Sequence, residues 1–184
     1  MSSLQISKTT ISGVYSIERN LISDNRGHFQ RLFCSKDLEQ IVGNKEIKQI
    51  NHTFTKKKGS VRGFHFQNKP MAEVKIVSCM RGKVLDVALD LRRDSPTFLK
   101  YYSIILSEAN SKSLLIPEGC AHGFQSLDDN CELLYFHTEL YSPEFESGIN
   151  VSDPSISIEW PLNISNLSNR DRSMTYLSSE FKGI

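Results

Sequence analysis

The chain has 184 residues, 39% hydrophobic and 23% charged, a balance that allows a sizeable core and excludes a disordered chain. Its formal net charge of +1 provides no global field to draw in nucleic acid or a membrane surface. No apolar run reaches the roughly 18 residues of a membrane-spanning helix, the first residues lack a signal-peptide pattern, and Cys34, Cys79, Cys120 and Cys131 show no CxxC spacing, so a single domain over 1–184 with buried free thiols in a reducing cytoplasm is expected.

Residues 1–20 read as a leading strand: Thr9, Ile11, Val14, Tyr15 and Ile17 favour β structure, and Gly13 interrupts them. Asp24-Asn25-Arg26-Gly27 is a turn, followed by a strand from His28 to Phe33. The segment Ser35 to Val42 predicts a helix, with Ser35 as its N-cap and Gly43 as its stop. From residue 46 strand follows strand. Ile47 to Thr55 places Gln49, Asn51 and Thr53 on one face and Ile50, His52 and Phe54 on the other. Lys56-Lys57-Lys58 reads as a solvated loop, with phosphate steering as a minor role.

Two short strands are predicted next within Gly59–Lys75, then strands over Val74–Met80, Val84–Leu91, Lys100–Leu106, Ser113–Ile116, Ala121–Leu127 and Glu132–His137, divided by turns such as Arg81-Gly82 and Asp128-Asp129-Asn130. Short strands at this spacing indicate an all-β antiparallel sandwich or barrel. The tail from Asp153 is polar, with a short helix opening near Ser168.

The chemistry concentrates in residues 59–75. Arg62, His65, Gln67 and Lys75 stand there among Val61, Phe64, Phe66 and Val74. In a regular strand Arg62 and His65 point to opposite faces, unless Gly63 marks a bulge that re-aims one of them. Pro117-x-Gly119-x-x-His122 is similar to the second metal motif of the cupin superfamily, but the second histidine of the first motif is replaced by Gln67, and Lys75 adds positive charge nearby. Two imidazoles and an ammonium make a poor divalent site, so no metal is expected. Proton transfer suits the set better: a histidine as base, a lysine for an oxyanion and Tyr135 as acid. His52 and His137 read as hydrogen-bonded packing residues, and His28 as a surface turn residue.

The motifs then occur in a recognisable order: Asp24-x-Arg26-Gly27-x-Phe29, Gln49-x-Asn51-His52-Thr53, Arg62-Gly63-Phe64-His65-Phe66-Gln67, Lys75-Ile76-Val77, Arg81-Gly82-Lys83-Val84-Leu85-Asp86, Pro117-Glu118-Gly119-Cys120-Ala121-His122, Leu134-Tyr135, Tyr141-x-Pro143-Glu144 and Leu167-Ser168-x-Arg170-Asp171. The series resembles the nucleotide-sugar 3,5-epimerase family from about residue 10 to 175.

The resemblance implies a cupin-type jelly roll (a double-stranded β-helix) with a few short peripheral helices, working as a homodimer without metal or organic cofactor. It implies epimerisation at C3 and C5 of a dTDP-linked 4-dehydro-6-deoxyhexose through an enolate, as in conversion of dTDP-4-dehydro-6-deoxy-D-glucose to dTDP-4-dehydro-L-rhamnose. The alternative is a single-centre epimerase or ketoisomerase acting on a dTDP-, CDP- or GDP-linked 4-keto-deoxysugar. By resemblance His65 is the base, Asp171 orients it, Tyr135 is the acid on the opposite ring face and Lys75 meets the enolate oxygen. Arg62 serves the diphosphate, while His122, Gln49, Asn51 and Tyr141 are pocket residues and Asp86 matches a pocket aspartate. Arg26 and Phe29 reach the nucleotide, often that of the neighbouring subunit. Arg31 departs from the pattern, standing where the family usually has an acidic residue that contacts the base of the nucleotide.

Overall fold

The structure, a computed structural model, describes residues 4–184. Strands β1 (Leu4–Lys8), β2 (Tyr15–Arg19), β3 (Leu21–Asp24) and β4 (Gly27–Gln30) lead into helix α1 (Ser35–Val42). They are followed by β5 (Gln49–Thr55), β6 (Val61–Gln67), β7 (Lys75–Arg81), β8 (Lys83–Asp90), β9 (Tyr101–Ser107), β10 (Lys112–Ile116), β11 (Cys120–Ser126) and β12 (Cys131–His137). A short β13 (Glu146–Gly148) and helix α2 (Asn169–Arg172) complete the elements. A six-stranded sheet, ordered β1-β2-β10-β7-β12-β5, faces a five-stranded sheet, ordered β13-β6-β11-β8-β9, and all the strand pairs are antiparallel. This is the expected jelly roll.

The alternation of side chains explains the layers. Val77, Cys79, Leu114, Ile116 and Leu133 of one sheet meet Val84, Ala88, Leu106 and Phe124 of the other in the central core. The opposite face of the six-stranded sheet is also buried: Ile17, Ile76, Leu115 and Phe136 pack under Leu38 and Val42, which are four residues apart on α1. The five-stranded sheet is covered by the tail. Its apolar residues Ile156, Trp160, Leu167, Leu177 and Phe181 lie over Val61, Phe64, Val87 and Leu89. A tail that is polar on average therefore closes a core with the few apolar residues it has.

Several local expectations change. The leading strand is a hairpin, β1 paired with β2, with Gly13 at φ +76 between them; residues 1–3 of that expected strand lie outside the described residues. The strand from His28 to Phe33 ends at Gln30, where the β3–β4 hairpin ends. Ser35 is not the N-cap of α1. Cys34 takes that position, in extended conformation and without a side-chain cap bond, because its carbonyl accepts the Leu38 N–H at 3.1 Å. Cys79, Cys120 and Cys131 are buried, Cys34 is half-buried, and all four are free thiols.

The fold brings the tail to β6. Val61 N–H donates to the Asn166 carbonyl at 3.0 Å, and Ser165 N–H donates to Gly59 at 3.0 Å. Residues 59–61 and 163–166 thus run side by side, and α2 follows directly over the end of β6.

Candidate active site

A cavity of about 650 Å³ lies between the two sheets, within the size range of small-molecule sites. Arg62 and His65 on β6 and His122 and Phe124 on β11 form one wall; Asn51 and Thr53 on β5, Lys75 on β7, and Tyr135 and His137 on β12 form the other. His65 and Tyr135 therefore approach the same space from opposite sheets.

A bulge puts Arg62 and His65 on one face. Arg62 pairs with Phe124 and His65 with His122, so Gly63 and Phe64 on β6 oppose Gly123 alone. Gly63 has φ +124, and a Cβ there would stand 2.5 Å from the Gly123 Cα and 2.7 Å from the His122 carbonyl oxygen. Gly63→Ala should therefore destabilise the fold by on the order of 3 kcal/mol, from backbone strain and overpacking together. Gly27 is the control in denaturant unfolding. Its φ is also positive, at +133, but no atom lies within 4 Å of a Cβ there, so its alanine variant should lose less.

His65 Nε2 lies 2.8 Å from Asp171 Oδ1, joining residues 106 apart in sequence. Ser168 caps α2 by accepting the Asp171 N–H at 3.0 Å, which turns the buried carboxylate toward β6. Burial pushes the Asp171 carboxyl up, but the His65 hydrogen bond and charge and the Ser168 and Gly63 contacts outweigh it and hold the group below its ordinary value. An ionised carboxylate only accepts, so His65 donates from Nε2 and keeps its lone pair on Nδ1. On the same wall, His122 Nε2 lies 2.7 Å from Asp86 Oδ1. Asp86 is fully buried behind His122 and does not itself line the cavity.

Tyr135 stands at the centre, its ring 5.8 Å edge-on from His122 and stacked 6.0 Å from His137. Burial first, and then the Asp86 carboxylate, push its phenol well above the ordinary value, so it is protonated at neutral pH. Beyond it, Lys75 Nζ meets Glu73 Oε1 at 3.0 Å and His137 Nδ1 meets Glu73 Oε2 at 2.6 Å. Burial pushes the Glu73 carboxyl up, but the His137 hydrogen bond and the Lys75 charge overcome this and bring it down to about 2. Its contribution to stability is therefore complete above its ordinary value of 4.5 and is lost as pH falls through about 2.

The other end of the cavity is basic. Arg62 donates to Thr55 Oγ1 and to the Phe54 carbonyl, both at 3.2 Å, and Lys56 and Lys57 stand at the rim. The lysine run is exposed, as a solvated loop should be, and two of its members also border the site.

Of the residues singled out in the sequence, His65, Tyr135, Asp171, Lys75, Asn51, Arg62, His122 and Tyr141 line the cavity. Gln49 does not. Its carbonyl oxygen accepts the Tyr141 N–H at 3.0 Å and its amide donates to Asn51 Oδ1 at 3.0 Å, so it supports the wall from outside. Arg26 and Phe29 also lie away from the cavity, exposed on the β3–β4 hairpin, where Arg26 pairs with Asp24. Arg31 is exposed too, 3.9 Å from Asp37. Gln67, in the place of the missing histidine, lines the wall with its amide committed to the backbone of Met71, Leu140 and Ser142. Among the described residues no three His, Cys, Asp or Glu side chains form a metal-ligand group.

The sequence reading missed Glu73, Glu146 and Arg170, and it took His137 for packing alone; all four line the cavity. A period-two signal was present. Glu73 is two residues from Lys75, and His137 is two from Tyr135, so each extends the face of a residue already singled out.

A family model described as dTDP-4-dehydrorhamnose 3,5-epimerase matches residues 8–179. The chain is 44% identical over 169 residues to the dTDP-4-dehydrorhamnose 3,5-epimerase of Shigella flexneri, covering 91% of this chain and 93% of that one. It is similar in structure to the Legionella pneumophila dTDP-6-deoxy-D-glucose-3,5-epimerase in complex with dTDP-4-keto-L-rhamnose, with TM-score 0.89, 36% identity and coverage of 94% and 92% of the two chains. It is also similar to the Bacillus anthracis dTDP-4-dehydrorhamnose 3,5-epimerase with TDP and PPi bound, with TM-score 0.91, 35% identity and coverage of 95% and 99%. With the sequence match spanning nearly the whole chain and the same fold around the cavity, this protein belongs to the dTDP-4-dehydrorhamnose 3,5-epimerase family.

Proposed function

We propose that the cavity binds a dTDP-4-dehydro-6-deoxyhexose and inverts C3 and C5 by successive deprotonation and reprotonation. The observation that carries this reading is the placement of His65 and Tyr135 on opposite walls of one cavity. The 4-keto group acidifies the protons on C3 and C5. His65 Nδ1 removes one, and the electrons of the broken C–H bond move to the C4 oxygen as an enolate. Lys75 stabilises that oxygen, and the protonated Tyr135 supplies a proton to the opposite face of the carbon. The configuration inverts, and proton exchange with solvent resets the imidazolium and phenolate for the second centre. Asp171 orients His65 and stabilises its charged form. Arg62, Lys56 and Lys57 form the cationic end that suits a diphosphate, and His122, Asn51 and Tyr141 complete the sugar pocket.

In the same reading the protein is a homodimer. The β3–β4 hairpin presents Leu21, Ile22 and Phe29 to solvent, and Ile50 and Phe54 on β5 are exposed beside the cavity. A partner covering these residues brings Arg26 and Phe29 to the nucleotide of the neighbouring site. Action in the cytoplasm belongs to this reading as well, consistent with the free buried thiols, and no described helix is long and apolar enough to cross a membrane.

The test is incubation with dTDP-4-dehydro-6-deoxy-D-glucose in deuterated water, with parallel CDP- and GDP-linked samples, followed by NMR. Deuterium at both C3 and C5 with inversion is expected for the dTDP sugar. Uptake at one carbon identifies a single-centre epimerase, and no uptake with any of the sugars overturns the reading.

A further inference from the structure

We propose that Glu73 and His137 form a positioning relay that ties the Lys75 ammonium to the Asn51 amide, holding both in register with the substrate. The proposal rests on the epimerase reading for the task given to Lys75. The connection itself stands on the hydrogen bonds.

A backbone group sets the direction of the chain. The Tyr141 N–H can only donate, and Gln49 Oε1 accepts it at 3.0 Å. The Gln49 NH2 must then face Asn51 Oδ1, at 3.0 Å. That leaves the Asn51 NH2 toward His137 Nε2, at 3.4 Å, so this ring nitrogen is the acceptor. A neutral His137 carries its proton on Nδ1 and donates it to Glu73 Oε2 at 2.6 Å. The other Glu73 oxygen holds Lys75 Nζ at 3.0 Å.

The ladder supports the same path. His137 pairs with Lys75 on one side and with Gln49 on the other, so the relay crosses three adjacent strands of the six-stranded sheet. Glu73, Lys75 and His137 are all buried, which makes an unpaired group costly and the arrangement rigid. Glu73 has both oxygens engaged by the relay. It acts on the reaction through Lys75 and is a positioning residue.

Glu73→Gln tests this without changing side-chain size. The amide has one oxygen and one NH2. Lys75 can only donate and claims the oxygen, so the NH2 faces His137 Nδ1. The ring must then move its proton to Nε2, against the Asn51 NH2. In ¹⁵N-histidine NMR at neutral pH, His137 is expected as the Nδ1–H tautomer in the native protein and as Nε2–H in the variant. Turnover should fall about 10–100-fold, the scale of a small misplacement of a reacting group, while KM stays within about threefold. In the Lys75→Met background, Glu73→Gln should cost little more, because its effect runs through Lys75.

A native Nε2–H tautomer, an unchanged tautomer in Glu73→Gln, or losses that multiply with Lys75→Met would each overturn the relay. If Glu73→Gln does not fold, His137→Phe, which keeps a ring but can neither donate nor accept, breaks the chain from the other side and leaves the Lys75–Glu73 pair in place. It should lower turnover with KM held, and unchanged turnover in that variant also overturns the relay. The native tautomer is measured without substrate, so failure of the epimerase reading remains distinguishable from failure of the relay.

Discussion

Alanine in place of His65 is expected to lower turnover by about 10²–10⁴-fold, the usual contribution of a positioned acid–base group, and to slow deuterium uptake at both C3 and C5 in parallel. With the imidazole gone, the group behind it is the Asp171 carboxylate, held below its ordinary pKa and therefore a weak base for a carbon acid. Asp171→Asn should fall in the same range. It removes the negative charge 2.8 Å from His65 Nε2 and so destabilises the imidazolium that forms as the proton is abstracted. Because the two act as a unit, combining them should cost little more than His65→Ala alone, as single-turnover NMR would record. Asp171 also links the site to stability. Its folded-state pKa is depressed, so its contribution is complete above the ordinary carboxylate value and disappears as pH falls through the lower folded value. Asp171→Asn should flatten that acid limb in urea unfolding measured from neutral pH downward. Native-like deuterium uptake in His65→Ala would remove the base assignment.

The fold was largely legible in the sequence because its strands alternate and its turns carry Gly, Asn and Asp at the breaks. Strands β5 to β12 appear where the pattern places them, within a residue or two at the ends. What was not legible had physical causes. β13 has three residues, too few to show a period, and is defined by pairing with β6. In the β3–β4 hairpin the turn and the second strand were read, but β3 is exposed throughout and shows no buried face to read.

At the site, the fork over Arg62 and His65 could not be resolved from spacing. The deciding fact is that Gly123 on β11 opposes two residues of β6, which is a matter of sheet register. The His65–Asp171 pair was accessible only through family resemblance, since nothing local connects residues 106 apart. Glu73 and His137 were missed for a similar reason. A lone glutamate before a strand and a lone histidine at the end of another each have an ordinary packing explanation, and their significance arises only when β7 and β12 pair and bring them within 2.6 Å.

Tyr135→Phe should separate inversion from proton exchange. The base side remains intact in this variant: His65 is on the opposite sheet and keeps its hydrogen bond to Asp171 of α2, and the phenyl ring preserves the packing against His122 and His137. What is lost is the proton on the second wall, held on a phenol that burial and Asp86 keep protonated. Enolate formation can still occur, but the proton then returns from His65 to the face it left. The expected result is a fall in inversion of about 10²–10⁴-fold, with slow deuterium uptake that retains the starting configuration. His65→Ala should slow exchange and inversion together, so the two variants assign base and acid to their walls. The comparison also tests the geometry. If the phenylalanine variant inverts either carbon at the native rate, the second proton comes from elsewhere, and the placement of Tyr135 opposite His65 is structural. If it loses exchange and inversion together while remaining folded by near-UV circular dichroism, Tyr135 contributes to forming the enolate as well as to trapping it.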